Sequence, residues 1–91
     1  MEVDPAQRYA AAIMAAIKDA AEGAIERQAA SEALMTVGAM LLIAGDDSWT
    51  DDEALLLGES YGSGMTKTLL AMLSLRAKGA TLPFDDLDVQ P

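Results

Sequence analysis

The sequence predicts an all-α domain, a small bundle of three to four helices with an irregular acidic C-terminal tail. Three observations carry that prediction. Apolar residues recur at steps of three and four along most of the chain. Two helix starts are fully written, at Asp4-Pro5 and at Thr50 with Glu53. Glycine and aspartate clusters punctuate the segments between. The chain has 91 residues, enough for one domain, with the bundle assigned to residues 1–79 and the tail to 80–91.

The first helix begins at Asp4, a good N-cap, with Pro5 at the first helical position and Gln7 where a capping box needs it. Ala6, Ala10, Ile13, Ile17, Ala20 and Ala24 then form one face. Lys18 and Glu22 stand four apart on the other side. The apolar phase shifts between Ile25 and Leu34, which predicts a turn somewhere in Gly23 to Ser31. A second helix, roughly Ala30 to Ala44, is apolar around its whole circumference and is expected to be buried on nearly every side. Gly45-Asp46-Asp47-Ser48 stops it.

The third helix starts at the Thr50/Glu53 capping box, with Asp51 and Asp52 at the positive end of its dipole and Trp49 placed to staple onto Ala54. Gly58, Gly62 and Gly64 fall inside it, each costing about 1 kcal/mol relative to alanine. They predict a kink or break near Gly62, with helix resuming at Met65; the alternative is that Gly58 and Gly62 form a contact notch for the alanine face. Arg76 and Lys78 followed by Gly79 mark its end. In the tail, Pro83 blocks continuation, and Leu82, Phe84, Leu87 and Val89 alternate with Asp85, Asp86 and Asp88. A tail folded back with Phe84 over the end of the bundle is the plainer expectation, and an acidic docking peptide the alternative.

Composition excludes several function classes. Cysteine and histidine are both absent, which removes disulfides, thiolate chemistry, Cys/His zinc sites and the commonest general base. The net charge of −9, with only Arg8, Lys18, Arg27, Lys67, Arg76 and Lys78 as scattered cations, disfavours nucleic acid and anionic membranes as direct partners. Met1-Glu2-Val3-Asp4 is acidic where a signal peptide would be basic, and Ala33 to Ala44 is too short to span a bilayer. A cytoplasmic location is expected.

Candidate chemistry is sparse. Gly62 to Thr68 suggests a phosphate loop, but Thr66 replaces the glycine that should precede the lysine, and no strand leads into it. Asp47-Ser48 at a helix start resembles the attachment site of acyl carrier proteins over two residues. Trp49 stands where that family places leucine, and an apolar helix precedes it, so turn and cap roles account for Ser48 and Thr50. A mid-chain tryptophan between helical halves resembles the early-secreted-antigen type of helical hairpin, but Trp49-Thr50-Asp51 lacks that family's glycine. The carboxylates of Asp46–Glu53 and Asp85–Asp88 lack calcium-loop spacing, and Ser63/Lys67 lie in a glycine-softened segment. Neither a catalytic residue nor a metal ligand nor a cofactor is expected.

What remains is an excess of apolar surface. The second helix and the leucine and methionine runs of the third present more than one stripe each, and a two-fold homodimer is the commonest way to cover such surface. The expected apolar interface is Leu34, Val37, Leu41, Leu56, Leu69, Met72 and Leu73. The alternative expectation is a small acidic inhibitor, of the phage counter-defence or nucleic-acid-mimic type, docking on a basic surface of a nucleic-acid-handling protein. It would act through Asp19, Glu22, Glu26, Asp47, Asp51, Asp52, Asp85 and Asp86.

Overall fold

A computed structural model describes residues 4–91, so the reading of Met1–Val3 lies outside the described residues. The described residues are 68% helical and form three helices and one very small parallel strand pair. In order these are α1 (Pro5–Ala20), β1 (Ile25–Glu26), α2 (Arg27–Ile43), α3 (Asp51–Ala77) and β2 (Val89–Gln90). Two compact units divide it: one is the chain up to Thr36 with Leu87–Pro91, the other is Val37–Asp86.

In the first unit, α1 starts where its cap is written. The Asp4 carboxylate accepts from the Ala6 N–H at 3.3 Å, and Pro5 opens the helix without losing a bond. The helix ends at Ala20, where Ala21 turns to extended backbone, and Gly23 follows at φ +97°, a conformation glycine adopts without a Cβ penalty. The predicted turn is thus real and contains a strand. Ile25 pairs with Val89 and Glu26 with Gln90, and the Ile25 N–H donates to the Asp88 carbonyl at 2.8 Å. Two-residue strands carry no alternation that a sequence pattern could reveal. Helix α2 then begins at Arg27, three residues before the expected start.

In the second unit, the largest departure from expectation is α3. It runs unbroken through Gly58, Gly62 and Gly64, where the sequence predicts a kink or break. The start supplies part of the reason. The Thr50 hydroxyl accepts from the Glu53 N–H at 3.2 Å, and Asp51, Asp52 and Glu53 all lie in the first turn. The Thr50 hydroxyl also donates to the Glu53 carboxylate at 3.2 Å, a variation on the usual capping box. At the weak point, the Thr66 hydroxyl donates to the Gly62 carbonyl at 3.1 Å. Good helix formers from Met65 to Ala77 carry it onward.

The end of α3 is a Schellman motif: Gly79 donates to Arg76 at 3.0 Å and Ala80 to Leu75 at 3.1 Å. Gly79 holds φ +92°, which makes it the residue that lets the chain leave the helix there. The tail is more ordered than predicted. Asp85 N–H donates to the Leu82 carbonyl, the Leu82 N–H donates to the Asp85 carboxylate, and Phe84 is held half-buried at φ +76°.

Burial contradicts the expectation for α2. Among the described residues Ile25 alone is buried, at 8% exposure, and none of the helices contains a buried residue. The all-round apolar α2 thus lies open within the single chain.

The continuity of α3 is directly testable. A Cβ added at Gly64 meets nothing within 4 Å. Gly64→Ala is therefore expected to raise stability by about 0.5–1 kcal/mol in denaturant unfolding at fixed protein concentration. A chain broken at Gly62–Gly64 would instead lose stability.

Candidate interaction surface

The polar candidates resolve into local structural roles. Asp46 accepts from the Ser48 amide at 2.9 Å and from its hydroxyl at 2.6 Å, an Asx turn that aims the chain into the Thr50 cap. Ser48 is thereby engaged by its own turn. Gly62 to Thr68 lies inside α3, so its amides serve the helix and do not form a phosphate cradle. No group of three Asp or Glu side chains among the described residues could hold a metal ion. No described helix is long and apolar enough to cross a membrane. Trp49 is half-buried, and its indole N–H is buried without a partner.

The acidic candidates are separated by the division of the chain. Asp19, Glu22 and Glu26 belong to the first unit, and Asp47, Asp51, Asp52, Asp85 and Asp86 to the second. All are exposed residues, but Asp85 is committed internally. Its carboxylate accepts from the Leu82 N–H at 2.8 Å and forms an ion pair with Arg76, leaving its side chain 26% exposed. The other seven are solvent-exposed.

The apolar candidates are all exposed: Leu34 in the first unit, and Val37, Leu41, Leu56, Leu69, Met72 and Leu73 in the second. Leu41 reaches 72% exposure, unusual for a leucine in a folded chain. On α3, Leu69, Met72 and Leu73 share one face at helical spacing, and Leu56 points elsewhere.

Sequence reasoning missed how far that face extends. It continues back through Met65, Gly62, Gly58 and Leu55 to Asp51 and forward to Arg76, in unbroken alternating steps of four and three. The signal was present in the spacing, but a break at Gly62 would have reset the phase. At its N-terminal end the face has a shallow depression lined by Asp51, Ala54, Leu55, Gly58 and Glu59, open to solvent and formed by α3 alone. Comparison with known proteins finds no matching family model, and no curated protein or solved structure matches the chain either.

The two internally bonded aspartates have a pH consequence. The Leu82 N–H, and after it the Arg76 guanidinium, hold the Asp85 carboxyl below its ordinary value of 3.8. The Ser48 hydroxyl and then its amide do the same for Asp46. A lowered folded-state pKa means that the stabilisation is fully present above the ordinary value and is lost as pH falls through the folded one. Carboxyl NMR titration is expected to place both midpoints below 3.8. Asp85→Ala is expected to expose the Leu82 amide to hydrogen exchange at neutral pH; unchanged protection would contradict the assigned contact.

Proposed function

We propose that this chain is a non-enzymatic protein–protein interaction module that self-associates as a homodimer. The observation that carries this reading is the mismatch between composition and burial. Hydrophobic residues make up 52% of the chain, yet Ile25 alone is buried among those described. Within the Val37–Asp86 unit, the leucine and methionine side chains of α2 and α3 other than Leu57 stand 41–72% exposed. Monomers rarely leave apolar surface of that extent uncovered.

On this reading the three-to-four-helix bundle expected from the sequence is assembled between chains, with the acidic residues on its outer surface keeping the assembly soluble in a cytoplasmic setting.

Size-exclusion chromatography with light scattering, at low and high salt, tests the proposal. The expected result is twice the 9.5 kDa chain mass at both salt concentrations, because an apolar interface is not screened. A monomer at all concentrations would reject self-association. It would turn attention to the alternative of an acidic inhibitor seated on a basic partner.

A further inference from the structure

Given the homodimer proposed above, we infer that its seam is an antiparallel, two-fold pairing of α3 with α3 of a second copy, along the face from Asp51 to Arg76. Steps of four and three repeated over this length are the spacing of a coiled-coil seam. The helix has 27 residues and is about 40 Å long, so the seam runs nearly its full length.

Two features choose the antiparallel direction. The first is charge. Asp51 opens the face and Arg76 closes it. Along the whole of α3 the acids are Asp51, Asp52, Glu53 and Glu59, all in its first third, and the cations, Lys67 and Arg76, lie in the remainder. A parallel pair would set like ends together, which costs stability, whereas an antiparallel pair sets each Asp51 beside Arg76 of the other copy. Arg76 is bonded to Asp85 through one terminal nitrogen and keeps 54% of its side chain exposed, so donors remain for a second carboxylate.

The second feature is size. With the two-fold axis midway between Gly62 and Met65, the same alignment sets Gly58 opposite Leu69 and Gly62 opposite Met65 of the other copy. Leu55 then faces Met72. Each glycine meets a large side chain, and a Cβ at either glycine would meet nothing within its own chain. The depression lined by Asp51, Ala54, Leu55, Gly58 and Glu59 includes the four positions, Asp51, Ala54, Leu55 and Gly58, that form a knobs-into-holes socket for the residue facing Leu55. That residue is Met72, exposed on the single chain and flexible enough to fill an irregular hole. The arrangement also accounts for why a long helix carries Gly58 and Gly62 in its interior.

The natural chain contains no cysteine, so engineered cysteines report the pairing without background. Leu55→Cys and Met72→Cys variants are prepared separately, checked for helicity by circular dichroism, and oxidised alone and mixed. In the antiparallel seam, like positions of the two copies lie about 25 Å apart. The expected result is therefore cross-linking in the mixture and in neither variant alone. Cross-linking of Leu55→Cys by itself would overturn the antiparallel assignment. A mixture that stays uncross-linked while light scattering reports a dimer would overturn this seam and leave the homodimer standing. A monomeric natural chain would overturn both. Charge exchange gives a second readout: Asp51→Lys is expected to weaken dimerisation about tenfold, and adding Arg76→Glu to restore it. An Asp51→Lys variant that associates as tightly as the natural chain would contradict the facing of Asp51 and Arg76.

Discussion

Helices α2 and α3 carry more apolar surface than the Val37–Asp86 unit covers. Burying a leucine or methionine side chain is worth about 1.5–3 kcal/mol, and this term normally offsets the conformational entropy of folding. Here α2 and α3 leave those side chains open, and Ile25, at the strand pair, is the one buried residue among those described. Local hydrogen bonds, caps and turns define where the helices begin and end, but such bonds contribute about 1 kcal/mol each and cannot replace a core. Intermolecular burial is the remaining large term, and this is why the proposed function is association.

The features that the sequence made legible are the local ones. Asp4-Pro5, Thr50 with Glu53, and Gly79 after Arg76 and Lys78 all act within one turn of themselves, so their chemistry could be read directly and their geometry is as expected. The features it concealed are decided at longer range or by sums. Three interior glycines argue for a break by propensity, yet α3 continues through them, with a loaded first turn before and the good helix formers Leu69 to Leu73 after. The Ile25–Val89 pairing joins residues far apart in the chain through strands too short to show alternation.

The same error hid much of the candidate surface. Leu69, Met72 and Leu73 were identifiable because they stand together in one apolar run. Leu55, Gly58, Gly62 and Met65 belong to the same face only if the helix does not reset at Gly62, and two of them are glycines that no hydrophobic pattern selects. The acidic residues were correctly seen as surface groups, but Asp85 could not be distinguished from its neighbours without knowing that the tail turns back to Arg76.

On the proposed reading, the hydrophobic core of this protein lies between chains. Thermal unfolding followed by circular dichroism across a hundredfold range of protein concentration tests it most directly, because folding coupled to association obeys mass action. The account predicts a Tm that climbs steadily with concentration. A Tm independent of concentration, in a chain that sediments as a monomer throughout, would contradict it.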